Sequence, residues 1–416
     1  MKSRSVFAAS GKAFRTKNIS KRVQKTIISP IKELSILADD FREKTGKDII
    51  SFGQGIPYFD TPAFIKDKIK KALEKRSTAR YSLEPGITEL RELVAKHIRL
   101  SKNIKNIQAK KEVMITVGCQ EAVFCALAST IDEGDEVLLI SPAYASHIEQ
   151  VIQSGGVPKF VQLKEEKGWL LDMDEFEKKT TKKTKVILFS NPSNPTGKVF
   201  TKEELTNLAG FAKAKDLVVI IDETYDFLTY DGSRHISLAS IQGIRDRIIL
   251  CGSFSKKYAL TGYRIGYAFA DKGIINHMLK IHDALAICAP TISQEAAIAA
   301  LKGSQASVAQ FVKEFTRNRK LMCEKLDQMK EYFEYQKPMG AYYIFPKFKK
   351  FNINSTELAL RILYEAGVIV VPGTAFGPSG EKHLRFSFAC SPKEIEEGFK
   401  RLRRWLGSLK LTAKNR

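Results

Sequence analysis

Between about residue 112 and residue 270, short apolar runs rich in valine and isoleucine alternate with helical stretches, and this rhythm restricts the possible folds sharply. The runs are Val113-Met114-Ile115-Thr116-Val117, Glu136-Val137-Leu138-Leu139-Ile140, Lys185-Val186-Ile187-Leu188-Phe189, Leu217-Val218-Val219-Ile220-Ile221 and Arg247-Ile248-Ile249-Leu250. Their apolar residues are consecutive rather than alternate, which suits strands buried on both faces. Strands of that kind separated by helices predict an α/β fold with a mostly parallel sheet covered on both sides. Ligands of such sheets bind outside the carboxyl ends of the strands.

Each run ends at residues able to carry chemistry. Gly118-Cys119-Gln120 follows the first, Ser141-Pro142-Ala143-Tyr144 the second and Asn191-Pro192-Ser193-Asn194-Pro195-Thr196-Gly197 the third. Asp222-Glu223-Thr224-Tyr225 follows the fourth and Ser253-Phe254-Ser255-Lys256 the fifth. A chain of 416 residues exceeds the length at which one core usually stops growing, so a second domain is expected. Beyond about residue 296 long charged helices, Phe311 to Lys330 among them, precede alternating segments at Ala341 to Phe345, Val368 to Val371 and Leu384 to Phe388. That pattern predicts a smaller α+β domain completed from near the N-terminus. The expected division is a basic arm over 1–20, a large domain over 50–295 and a small domain over 21–49 and 296–416.

No apolar run approaches the length that spans a bilayer, so a soluble chain is expected. Six cysteines, at 119, 125, 251, 288, 323 and 390, have neither CxxC nor metal-ligand spacing and read as reduced thiols of an intracellular, cytoplasmic protein that binds no metal. The formal charge of +22 raises the question of nucleic acid or membrane partners. Nine of the basic residues fall within the first 32, and no helix-turn-helix, zinc-finger or ribonucleoprotein signature accompanies the surplus, so neither partner is expected. The basic N-terminus reads as a mobile arm, with an organelle transit segment as the alternative.

The segment Ser253-Phe254-Ser255-Lys256-Lys257-Tyr258-Ala259-Leu260-Thr261-Gly262-Tyr263-Arg264-Ile265-Gly266 is the most informative about chemistry. A lysine in a small-residue turn after an apolar run, with an arginine eight residues on, suits an amine bonded to an aldehyde while a guanidinium grips a phosphate. Pyridoxal 5'-phosphate has both groups. The segment resembles the cofactor-lysine motif of the class I aminotransferases, of fold type I, and the resemblance extends from about residue 22 to the C-terminus.

That resemblance implies roles for particular residues. Lys256 would hold the cofactor covalently and then carry the proton between the substrate Cα and the cofactor. Asp222 would face the pyridine nitrogen and keep it protonated; its plainer reading is a turn or helix-capping aspartate. Tyr225 and Asn194 would hydrogen-bond the phenolic oxygen. Arg264 and Ser253 would bind the phosphate, with backbone N–H groups of Cys119 and Gln120 at the positive end of a helix starting there. Tyr81, in Arg80-Tyr81-Ser82-Leu83-Glu84-Pro85-Gly86, would reach the phosphate of a neighbouring subunit, implying a homodimer with shared active sites; by spacing alone it is a helix-flanking aromatic. Tyr144 would stack on the ring, with His147 behind Asp222. Arg385 would pair with the substrate α-carboxylate, where Asn194 and the backbone of Gly55 would also reach, and its plainer reading is a structural ion pair.

Aspartate-preferring relatives often carry a lysine at the position of Gln120 and a glutamate at that of Ile56. Neither residue here offers a cation to a distal carboxylate, so activity on aromatic and other uncharged amino acids is expected beside aspartate. The implied function is a ping-pong transamination from an L-amino acid to a 2-oxo acid, 2-oxoglutarate in the first instance. The competing readings are a carbon-sulfur lyase on the same fold and a regulator that has kept the cofactor fold without the chemistry.

Overall fold

A computed structural model describes residues 19–414, with side chains to residue 409. All five apolar runs form strands, because consecutive Val, Ile and Leu residues fill the cores on both faces of one sheet. Val113, Ile115, Leu138, Ile140, Ile187, Val219, Ile221, Ile248 and Leu250 face one core. Their alternates Met114, Val137, Leu139, Val186, Leu188, Ile220 and Ile249 face the other. Each such side chain contributes about 1.5–3 kcal/mol by leaving water, so the sheet is held from both sides.

The sheet has seven strands, in the spatial order Val113–Thr116, Gly266–Phe269, Ile248–Ser253, Val218–Asp222, Thr184–Ser190, Glu136–Ser141, Val157–Gln162. Two of them were not expected. Val157–Gln162 pairs parallel with Glu136–Ser141 at the sheet edge; its half-exposed residues and internal Pro158 lack the apolar signature of the others. Gly266–Phe269 runs antiparallel to both neighbours, Val113–Thr116 and Ile248–Ser253, so the sheet is mixed rather than wholly parallel. Two antiparallel pairings in succession restore direction, and Val113–Thr116 therefore ends on the same rim as the parallel strands.

A second core gathers around a three-stranded antiparallel sheet of Tyr343–Ile344, Leu384–Ser387 and Val371–Pro372. The helices Ala306–Asp327 and Pro392–Lys414 pack together beside it. Ile50–Ser51 joins this part by pairing parallel with Val368–Ile369. Helix Pro30–Thr45 begins with proline, ends at the left-handed Gly46 (φ 64°) and buries Leu34 and Ala38 in a small cluster with Leu363 and Ile369. The expected boundary at 295/296 falls inside the helix Thr291–Lys302, which packs on Ala63–Leu73 and Thr88–Lys102. Pairing and packing thus keep residues 296–302 with the large sheet's helices and residues 50–51 with the small sheet.

The basic arm expected over 1–20 lies, apart from its last two residues, outside the described residues. Among the described residues no helix is long and apolar enough to cross a membrane.

Candidate active site

At the carboxyl rim of the large sheet a cavity of about 230 Å³ is lined by residues from all five predicted strand ends and from the small sheet. Cys119, Gln120, Tyr144, His147, Asn194, Asp222, Tyr225, Ser253, Lys256 and Arg264 all line it, joined by Gly55 and Arg385. Tyr81 does not: it stands 75% exposed on the surface of this chain. Ile56 is half exposed and is not among the lining residues either.

The strand Val218–Asp222 ends at the Asp222 carboxylate. Its Oδ1 accepts the Thr224 N–H at 2.9 Å and the Cys119 thiol at 3.3 Å, and its Oδ2 lies 3.4 Å from His147 Nε2. Burial pushes this carboxyl up, but the His147 contact and the Thr224 hydrogen bonds outweigh it and leave Asp222 below its ordinary value. Asp222 is therefore an anion held in an enclosed site. Burial and the adjacent Asp222 charge push the Cys119 thiol well up, which keeps it a neutral donor. The sequence had offered a role only for the Cys119 backbone.

Lys256 Nζ donates to the Gly55 carbonyl at 2.6 Å. Burial, with Arg264 and Arg385 nearby, lowers its pKa to about 8. Such an amine gives up its proton more readily than an ordinary lysine, which brings its nucleophilic form closer to neutrality. Arg264 sits at the positive φ of 52° and lies so close to Gly118 (φ 80°) that a Cβ there would fall 2.6 Å from a guanidinium nitrogen. Gly118 thus lets the guanidinium rest against the start of helix Cys119–Thr130, whose first-turn N–H groups lack intrahelical acceptors. Guanidinium, helix N-terminus and the Ser253 hydroxyl together suit a phosphate.

Arg385 is 1% exposed on the central strand of the small sheet. Nη1 donates to Asn194 Oδ1 at 3.1 Å, and Nη2 donates to the Gly53 carbonyl. Its buried Nε has no hydrogen-bond partner among the described residues. Tyr343 and Phe376 stack against the guanidinium at 4.4 and 5.1 Å. Gln120 Nε2 donates to the Tyr144 hydroxyl at 3.1 Å, and Tyr144 meets His147 edge to face.

Sequence reasoning missed Thr224, Ser255 and Tyr343, which also line the cavity. Tyr343 is a hydrogen-bond partner of Tyr225, hydroxyl to hydroxyl at 2.8 Å. The adjacent tyrosines 342 and 343 on an apolar segment were a signal, since buried tyrosine hydroxyls need partners. Three cations, Lys256, Arg264 and Arg385, face one carboxylate among the described lining residues. The balance favours a ligand with at least two negative charges, and a phosphorylated aldehyde joined by an amino-acid carboxylate fits it.

Residues 47–402 match the family described as aminotransferase class I and II. The chain is 40% identical over 368 residues to an aspartate aminotransferase of Pyrococcus abyssi, covering 88% of this chain and 94% of that one. It is 38% identical over 395 residues to aromatic-amino-acid aminotransferase 2 of Thermococcus litoralis, covering 94% and 99%. Among solved structures, aspartate aminotransferase from Thermus thermophilus with maleate superposes with a TM-score of 0.87 at 32% identity, over 93% of this chain and 99% of that one. The aromatic aminotransferase from Pyrococcus horikoshii superposes with a TM-score of 0.84 at 38% identity, over 90% and 100%.

Proposed function

The chain belongs to the class I and II aminotransferases, and from this we propose how its own residues divide the work and which substrates they admit. It is a pyridoxal-phosphate-dependent enzyme of fold type I that moves an amino group from an amino acid to a 2-oxo acid. When bound, the cofactor supplies an aldehyde for the amine and a protonated ring that accepts the electron pair left by the departing Cα proton.

Lys256 is the proposed covalent anchor and proton carrier. With a pKa of about 8 it gives up its proton more readily than an ordinary lysine, and its contact with the Gly55 carbonyl joins two of the lining residues. Asp222 would hold the ring proton as a fixed anion, with His147 and Cys119 behind it. Tyr225, whose hydroxyl burial pushes well above its ordinary range, would remain a donor to the phenolic oxygen together with Asn194. Arg264, Ser253 and the N–H groups of Cys119 and Gln120 would bind the phosphate. Tyr144 would cover the ring. Tyr81 would serve the neighbouring site of a homodimer, and its exposure leaves it available to one.

The observation that carries the substrate reading is Arg385: it lines the cavity, is buried against two aromatic rings, and has an Nε without a partner among the described residues. A carboxylate there would complete its hydrogen bonds, and every α-amino acid and 2-oxo acid supplies one. We propose that the enzyme accepts aspartate and aromatic amino acids, with glutamate and 2-oxoglutarate as the recycling pair. Gln120 offers the side-chain end of the substrate an amide rather than a cation, and the relatives named above include both specificities.

The test is to mix the purified, cofactor-loaded protein with amino acids alone and then with 2-oxoglutarate, following keto-acid and glutamate formation. Aspartate and phenylalanine should both give stoichiometric keto acid alone and catalytic glutamate with the acceptor. Ammonia and pyruvate from a cysteine-type substrate, without glutamate, would instead identify an eliminating lyase.

A further inference from the structure

Tyr343 touches both halves of the site without belonging to either set of grips described above. Its hydroxyl is 2.8 Å from the Tyr225 hydroxyl, and its ring lies under the Arg385 guanidinium at 4.4 Å. A Cβ at Gly55 would fall 1.9 Å from the Tyr343 hydroxyl oxygen, so the glycine backbone is admitted to the site only because it carries no side chain there. Tyr342, the preceding residue, donates to the Gly55 carbonyl at 2.8 Å, the same oxygen that receives Lys256 Nζ. Tyr343 itself lies on a two-residue strand paired with Leu384–Ser387, which carries Arg385.

We propose that Tyr343 is a positioning residue whose hydroxyl orders Tyr225 on the cofactor side while its ring orders Arg385 on the substrate side. The inference rests on the roles proposed above for those two residues. Among the described residues, the groups that act most strongly on the tyrosine pair are Arg385, Tyr342 and Tyr144. None of them is a carboxylate that could take the Tyr225 proton, so the two hydroxyls form a neutral chain. When Tyr225 donates its own proton to an anionic oxygen, its oxygen is freed to accept from Tyr343. Donors in such a chain strengthen one another. The ring holds Arg385 by a separate interaction, the attraction of a desolvated cation for an aromatic face.

The two parts separate experimentally. Tyr343→Phe keeps the ring and removes the hydroxyl, while Tyr343→Leu removes both. The first readout is the pKa of the lysine-bound cofactor's visible chromophore, titrated without substrate. The second is KM across several amino and oxo acids. A weaker Tyr225 donor leaves the phenolic oxygen more basic and raises the chromophore pKa, so Tyr343→Phe should move it up by about half a unit with KM within about twofold of wild type. Tyr343→Leu should show the same rise together with KM values higher by about fivefold or more for every substrate.

An unchanged chromophore pKa in Tyr343→Phe overturns the hydroxyl part. Equal KM losses in the Phe and Leu variants overturn the ring part. Should the Leu variant fail to fold, the Phe variant decides the hydroxyl part, and Tyr343→Met, which fills similar space without an aromatic face, decides the ring part by the same KM comparison. A wild-type protein that forms no visible chromophore with pyridoxal phosphate, or one in which Lys256→Ala still forms it, would sink the underlying reading rather than this one.

Discussion

Burial and two neighbouring guanidinium groups hold the Lys256 amine at about 8 rather than 10.5, so the folded chain carries a charge it disfavours. Between those pH values the folded cofactor-free protein binds fewer protons than the unfolded chain, and this residue makes stability rise with pH there. The penalty is fully present below pH 8 and gone above 10.5. Lys256→Met should therefore abolish turnover yet stabilise the cofactor-free protein at pH 7 by on the order of 2 kcal/mol, with the gain shrinking towards pH 9.5. Denaturant midpoints of both proteins across that range check it, and a uniform loss of stability would refute it. Asp222 was legible as a candidate because it follows directly on a continuous apolar run, and Asn194 and Lys256 because they stand in motifs that begin within two or three residues of such runs. Tyr343 was not, since its contacts with Tyr225 and Arg385 form only when a distant segment docks. Nor could spacing reveal that the Cys119 side chain meets Asp222, across 103 residues of chain.

At the scale of elements, the turn after the strand Val218–Asp222 shows how sites are braced from behind. Asp222 and Tyr225 line the cavity, while the interleaved Glu223 and Asp226 turn away towards Lys102, the buried last residue of helix Thr88–Lys102. Lys102 Nζ is 2.7 Å from Glu223 Oε2 and also bonds Asp226, and His235 approaches Glu223 at 3.6 Å. Burial opposes the charge on Lys102, but Asp226 and Glu223 more than compensate and raise its pKa. Removing the cation leaves two enclosed carboxylates without it, so Lys102→Met should cost about 3–5 kcal/mol of stability. Lys102→Met with both carboxylates changed to amides should recover much of that loss, and denaturant unfolding distinguishes the two variants. The DExY spacing was visible in the sequence; the brace was not, because Lys102 ends a charged helix and reads there as solvated. The strand Gly266–Phe269 escaped for a different reason, being four residues long with a glycine at its start, at the end of the lysine and arginine motif.

For the whole molecule, Tyr81, Leu83, Leu73 and Leu285 each expose a large apolar side chain. If Tyr81 acts across a dimer, refolding a mixture of Lys256→Ala and Tyr81→Ala chains should create dimers with one intact site. Lys256→Ala chains then contribute a normal Tyr81 to the Tyr81→Ala partner's lysine, and activity should rise above the mean of the parents, towards about a quarter of wild type. No rise on mixing would place Tyr81 with its own chain or outside the site. The antiparallel pairing of Ile248–Ser253 with Gly266–Phe269 has a consequence for how a ligand is kept. Both ends of the loop bearing Lys256 and Arg264 are stitched to adjacent strands, so with the roles proposed for them amine and guanidinium would act as a chelate of fixed bite. A ligand released by the lysine would still be held at the arginine end. The lysine would then meet it again as an intramolecular partner, at an effective concentration of roughly millimolar or more.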